Sequence, residues 1–368
     1  MSPLVFQQER NSGCRLRQFV YRGHRCVSLE NATVRVVIAA DKGADIIEFL
    51  YKPKDVECLW HSRHGLRDDA HLRLSSPLQG GHFREYFPGG WYEMLPNGPQ
   101  PCEHRGAAFG HHGEATLLPW DYRIVRDDAD GVGVVFSVRL GRIPLRLERA
   151  MFLEGEGGTV RLEEQVTNES GQTVEFLWGH HPTFGAPLVE PGARIFLPSG
   201  TTASTSDSVP DGSRVAAQAR GTWPHLTAQA GAGDVDLSTI PHADAGSHEF
   251  VRLDDLIEGW FAIVNPQREV GFALRWDVAT FPMVGLWQIW GGGQDYPWYG
   301  MPHLLALEPA SDLPSLAESV RRGTAITLAG GQSRRTVLEA TAFSSRSTVT
   351  HVGAGGAITD DAAAGEYA

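Results

Sequence analysis

Hydrophobic and polar positions alternate in short runs along most of the chain. In residues 160–167, Val160, Leu162 and Val166 alternate with Arg161, Glu163, Gln165 and Thr167, the period-two pattern of a strand with one buried face. Asn168-Glu169-Ser170-Gly171 then reads as a turn and the apolar-aromatic run 174–178 as the return strand of a hairpin. That places His180 and His181 just beyond a strand end. The same reasoning predicts strands at 33–39, 132–140, 145–153, 260–265, 270–276, 304–308 and 336–343. Helical periodicity is scarce: 312–322 offers Ser311 or Asp312 as N-cap and Gly323 as a stop. The pattern therefore predicts an all-β fold, a large antiparallel β-sandwich with few short helices.

Composition sharpens this picture at three points. Forty-two glycines and 22 prolines, dispersed between the strands, supply many turns, and 368 residues with 42% hydrophobic content can bury a large core. Residues 344–368 turn rich in Ser, Thr, Gly and Ala, which predicts a disordered tail after a single domain spanning 1–343. Lys plus Arg number 32 against 44 Asp plus Glu, a formal charge of −12. Such a chain repels nucleic acid and anionic membrane surfaces and suits a neutral small molecule.

The N-terminus has no apolar signal-like core and no stretch reaches the roughly 20 apolar residues that span a bilayer, so a soluble cytoplasmic protein is expected. Cys14, Cys26, Cys58 and Cys102 show no CxxC spacing, which argues against a disulfide framework or a thiolate zinc site. The assembly is left open, a homodimer being one arrangement.

Candidate chemistry gathers in three segments: FGHHGEA with His111 and His112, WGHHPTFG with His180 and His181, and LALEPAS with Glu308. Two imidazoles and a carboxylate can move protons. If 111–115 is a strand, His111 and His112 face opposite ways, and Gly113 permits close approach of backbone or ligand. His181 precedes Pro182, which holds it extended, and Trp178 and Phe184 bracket it as an aromatic wall suited to a pyranose face. Glu308 ends an apolar run before Pro309, so it needs a buried partner, either a histidine or an arginine such as Arg275. The segments 89–98, with Trp91, Glu93 and Asn97, and 287–293, with Trp287 and Gln288, read either as loops over a carbohydrate site or as Gly-rich loops with core tryptophans. Together with His111, His180 and Trp178 they form the candidate substrate-binding set. Adjacent histidines on a strand are poorly placed to share one ion, and HExxH, HxH, GxSxG and GxxxxGK[ST] are all missing, so no metal is expected.

Five segments in this order resemble the aldose 1-epimerase (galactose mutarotase-like) family: AADKGADIIEFLYKPKDVECLW, FGHHGEA, HHPTF, LALEP and LAGGQSRRTVLEATAF. The resemblance runs from about Asp41 to Phe343 and implies a supersandwich with a sugar in an open cleft. It also implies that Glu308 takes the proton of the C1 hydroxyl, His181 protonates the ring oxygen, and His112 orients that region or shares the acid role, without a cofactor. The family's sugar-holding aspartate and arginine have only Asp254 (or Asp255) and Arg84 as candidates, and GGWYEMLPN and WQIWGGG mark a divergent member. Two other readings stay open: a non-catalytic carbohydrate-binding or regulatory protein on this fold, and another sugar enzyme, a lyase or hydrolase. A glycosidase normally needs two carboxylates flanking the bond, and here one is evident.

Overall fold

In the computed structural model, which describes residues 10–68, 87–229, 231 and 233–361, strands dominate as the alternation predicts. The larger of two main sheets has twelve strands. Its path runs Arg15–Tyr21, His24–Glu30, Val34–Ala39, Asp45–Tyr51, Trp91–Met94, Gly179–Phe184, His303–Ala310, Met283–Trp290, Ser247–Asp254, Thr202–Ser204 and Arg220–Thr222, with Val56–Glu57 added onto Asp45–Tyr51. The second sheet has eight: Arg194–Phe196, Gly259–Asn265, Val270–Trp276, Ser333–Phe343, Thr159–Asn168, Leu145–Glu154, Gly131–Arg139 and Asp121–Asp127. Neighbouring strands are antiparallel throughout both central regions.

The sheets pack face to face around one apolar layer. Phe49 and Phe184 of the larger sheet meet Phe272 of the smaller one with ring centroids 5.1 and 4.9 Å apart. Leu145–Glu154 and Thr159–Asn168 alternate buried and less buried positions, so Val160, Leu162 and Val166 point inward as expected. In the middle of the larger sheet the alternation vanishes. Trp91–Met94 and Gly179–Phe184 are buried at every position, because one face meets the second sheet and the other lies beneath connecting segments.

Three expectations are corrected. The run after Asn168 does not return along Thr159–Asn168. That strand pairs with Leu145–Glu154 and Ser333–Phe343, while Val174–Phe176 pairs with Ile326–Leu328. Asn168 does make the turn, its Oδ1 accepting from Ser170 N at 3.0 Å, but its Nδ2 donates to Leu328 O at 3.1 Å and ties the turn to a distant segment. His180 and His181 accordingly lie within a strand rather than beyond one.

The helix is shorter than predicted, Leu316–Arg322, with Ser315 as N-cap and Gly323 as stop in the left-handed region. Pro314 disfavours helical backbone before it, and Asp312 is engaged elsewhere, accepting from Arg252 at 2.6 Å. Ordered structure also continues past Phe343, into the segment whose composition suggested a disordered tail. Val349–Val352 and Ile358–Asp360 form a hairpin whose Val349, Val352 and Ile358 pack on Trp260, Ala262 and Val264 of the second sheet. Residues 362–368 lie outside the described residues. Among the described residues no helix is long and apolar enough to cross a membrane.

Candidate active site

Strand parity divides the named residues into two groups. Trp91–Met94 pairs with Gly179–Phe184 so that Tyr92 faces His181 and Glu93 faces His180. On the next strand, Gly179 pairs with Ala310 and Thr183 with Ala306, a register that sets His181 opposite Glu308. The row continues from Glu308 to Gly285 and from Gly285 to Arg252. Tyr92, His181, Glu308, Gly285 and Arg252 therefore lie side by side across five strands, on the face turned away from the second sheet.

The contacts in this row bring two imidazoles, a phenol and a carboxylate together. His181 Nε2 lies 3.2 Å from Glu308 Oε1, and its Nδ1 lies 3.1 Å from the Thr183 hydroxyl. The partner anticipated for Glu308 is thus the imidazole; Arg275 sits on the second sheet beside Glu339 at 3.4 Å. His112 joins from a turn, its ring centroid 5.3 Å from that of His181 and its Nδ1 2.7 Å from the Tyr92 hydroxyl. Tyr92, His112, His181 and Glu308 are only 1%, 4%, 3% and 2% exposed, so their charges and hydrogen bonds act with little screening. Burial, and then the nearby Glu308, hold the Tyr92 phenol well above its ordinary value.

Two glycines make the geometry possible. Residues 111–113 form a turn instead of a strand, with φ of +57° at His112 and +79° at Gly113. A Cβ on Gly113 would come within 2.2 Å of Leu95 O, so the close approach anticipated for this glycine is to backbone. The turn also brings the His111 and His112 rings together, with centroids 3.9 Å apart. A Cβ on Gly285 would lie 2.9 Å from Leu313 Cδ1 and 3.3 Å from Glu308 Oε2; glycine keeps room beside the carboxylate.

Aromatic rings cover the row. Trp287 and Phe87 approach His181 with centroid separations of 5.8 and 6.1 Å, and Trp298 packs on Trp287 at 5.3 Å. Trp60 continues this wall by stacking on Phe87 at 5.8 Å. Trp287 thus lies on the same face as His181 and Glu308. Asp254 lies on the same face, farther along, bound to Arg252 at 2.8 Å.

Other candidates are elsewhere. Trp91, Glu93, Trp178 and His180 point into the sandwich, with exposures of 0–1%. Glu93 accepts from Arg149 and from the Trp178 indole. His180 Nε2 contacts Glu164 at 2.9 Å, and Trp91 Nε1 donates to His180 Nδ1 at 3.1 Å. Glu93, Glu164 and His180 bring ligand-type atoms within 4.8 Å of one another. The Arg149 guanidinium lies among them, its Nε 2.6 Å from Glu164, and serves as the cation there. Gln288 also faces the interior, where its Oε1 accepts from Arg214 at 3.2 Å. Asn97 is fully committed: it donates to Gln100 O and Gly110 O at 2.9 and 2.7 Å and accepts from Leu316 N at 2.7 Å. Arg84 falls outside the described residues.

Sequence reasoning missed Tyr92, Thr183, Phe87 and Trp298. The period-two rule held a usable signal for Tyr92, since choosing Trp91 and Glu93 together selects one parity and Tyr92 belongs to the other.

Comparison with known proteins completes the description. A family model, "Domain of unknown function (DUF4432)", matches residues 21–342. No curated protein matches in sequence. Among solved structures, a Klebsiella pneumoniae protein provisionally named an aldose 1-epimerase is 14% identical, with a TM-score of 0.67 over 91% of this chain and 88% of its own. A galactose mutarotase-like protein from Clostridium acetobutylicum is 14% identical, with a TM-score of 0.63 over 90% and 99%. The Slr1438 protein from Synechocystis is 15% identical, with a TM-score of 0.62 over 92% and 100%. At these identities the likeness establishes the fold: a galactose mutarotase-like β-sandwich.

Proposed function

The chain belongs to the DUF4432 family, and from its site we propose that it is a sugar isomerase of the aldose 1-epimerase kind, interconverting the anomers of a small carbohydrate. The observation that carries this reading is the contact of His181 Nε2 with Glu308 Oε1 at 3.2 Å in a buried, aromatic-walled row. A carboxylate and an imidazole in contact can exchange roles as base and acid.

Glu308 removes the proton of the C1 hydroxyl while His181 protonates the ring oxygen, and the bond between C1 and the ring oxygen breaks to leave an open aldehyde. After rotation about C1–C2, His181 takes back the proton of the C5 hydroxyl as that oxygen attacks C1. Glu308 returns its proton to the aldehyde oxygen, and the opposite anomer forms. His112 assists at the ring oxygen. The aromatic wall suits the apolar face of a sugar ring.

The test is anomer-exchange NMR at the C1 proton across hexoses, pentoses, deoxysugars and uronic acids. Wild-type protein should accelerate exchange for at least one sugar, and Glu308→Gln should lose about 10²-fold or more of that rate. Line broadening from binding, with no acceleration by the wild type, would sink the isomerase reading in favour of a sugar-binding protein.

A further inference from the structure

The two histidines and the glutamate leave a tyrosine between them unexplained. Tyr92 stands directly opposite His181 on the neighbouring strand. Its ring stacks on the His181 imidazole with centroids 4.5 Å apart and planes inclined by 19°. Its hydroxyl oxygen lies 2.7 Å from His112 Nδ1. One buried side chain therefore touches both imidazoles, each in a different way.

Acidity sets the direction of the hydrogen bond. A phenol O–H is a far stronger acid than the N–H of a neutral imidazole, and an imidazole nitrogen accepts better than a phenol oxygen. The stronger arrangement has Tyr92 O–H donating to His112 Nδ1, which puts the ring proton of neutral His112 on Nε2. Burial and Glu308 keep the phenol protonated across the neutral range, so the donor is always present there.

We propose that Tyr92 is a positioning residue, fixing His112 as the Nε2–H tautomer through its hydroxyl and holding the plane of the His181 ring through stacking. The catalytic consequence rests on the isomerase reading; the tautomer does not. With Nδ1 engaged, His112 can offer a proton only from Nε2, a single donor direction for the ring oxygen. The stacked plane of Tyr92 keeps the edge of His181, and with it Nε2, turned toward Glu308.

The test combines a spectrum with turnover. Protein labelled with 15N-histidine is recorded in long-range proton–nitrogen spectra, with His112→Gln to assign the His112 signals. Wild type should show a bare Nδ1 and a protonated Nε2 on His112. Tyr92→Phe keeps the stacked ring but removes the hydroxyl, and should convert His112 to a tautomer mixture. In anomer exchange its kcat should fall about 10- to 100-fold, with KM changing less than about 3-fold. A wild-type Nδ1–H tautomer, or an unchanged His112 pattern in Tyr92→Phe, overturns the proposal. If the wild type proves inactive, the spectra decide the tautomer by themselves, separating failure of this inference from failure of the isomerase reading.

Discussion

The strands Trp91–Met94 and Gly179–Phe184 carry ionisable side chains on both faces, and the two faces handle burial in opposite ways. Toward the second sheet, Glu93, Glu164, His180 and Arg149 are 0–2% exposed and locked together. Arg149 contacts Glu93, lies 2.6 Å from Glu164 and donates to Ala44 O at 3.0 Å. Toward the aromatic wall, His181 and Glu308 are as deeply buried. There, among the described residues, Glu308 has no arginine or lysine partner and meets only the imidazole at 3.2 Å. Burial does not by itself create reactivity. A guanidinium can only donate to a carboxylate, whereas an imidazole nitrogen can either donate or accept a proton.

Removing the guanidinium should break the locked face most severely. Arg149→Met leaves two carboxylates buried without their permanent cation, and a loss of about 3–5 kcal/mol of stability is expected. Urea unfolding measures it directly. A loss below about 1 kcal/mol would mean that the quartet does not hold the sheets together, and the contrast between the faces would fail.

The adjacent histidines divide the contrast more finely. His181→Gln should lower turnover about 10²-fold or more and cost about 1–3 kcal/mol of stability, since Glu308 loses its buried imidazole partner. His180→Gln should cost a similar amount, about 1–3 kcal/mol, since Glu164 loses a buried hydrogen bond, but with turnover per folded molecule nearly retained. Paired unfolding curves and anomer-exchange rates check both. An exchanged order would put the chemistry on the inward face.

Parity also explains what the sequence could and could not reveal. Leu145–Glu154 and Thr159–Asn168 of the second sheet were legible because only one of their faces is fully buried, so Val160, Leu162 and Val166 identified it. Trp91–Met94 and Gly179–Phe184 are covered on both faces; polarity then cannot tell inward from outward, and Glu93, Trp91 and His180 entered the candidate site from the wrong side. Glu308 and His181 were named from motifs that keep their order along the chain, and the strand register brings the two side chains together. One inward cluster did leave a mark. Arg149 occupies the buried phase of Leu145, Leu147, Met151 and Leu153, and Glu164 that of Val160, Leu162 and Val166. Charges at the buried phase of two strands are a legible sign of an internal ion pair. The hairpin after Asn168 failed for another reason: a turn is local, whereas the partner of the following strand, Ile326–Leu328, lies far along the chain.

The smallest expected effect sharpens the rule by showing a carboxyl group drawn partly out of water with no arginine or lysine ion pair among the described residues. Glu57 is half-buried and accepts from Phe49 N at 3.0 Å and Leu59 N at 2.9 Å, with the His61 imidazole 3.9 Å away, at the start of the segment that delivers Trp60 to the aromatic wall. Burial pushes it from 4.5 up to about 7, the two backbone bonds lowering it only in part. Glu164 is buried too, yet His180 and Arg149 outweigh desolvation and bring it down from 4.5 to about 2. The linkage signs are therefore opposite. A raised folded value gives stability that is fully present below 4.5 and lost as pH rises through about 7; a lowered one gives stability present above 4.5 and lost as pH falls toward about 2. Glu93 and Asp45, both raised mainly by burial, share the sign of Glu57, so the difference between two proteins isolates it better than the slope of one. Melting temperatures of wild type and Glu57→Gln followed between pH 4.5 and 7 should converge upward: the wild type leads at the acid end and gives up that lead as Glu57 ionises, because glutamine cannot. Parallel curves would show that this carboxyl titrates at its ordinary value, and that loss of solvent without a guanidinium or ammonium partner is not enough to set the two kinds of buried acid apart.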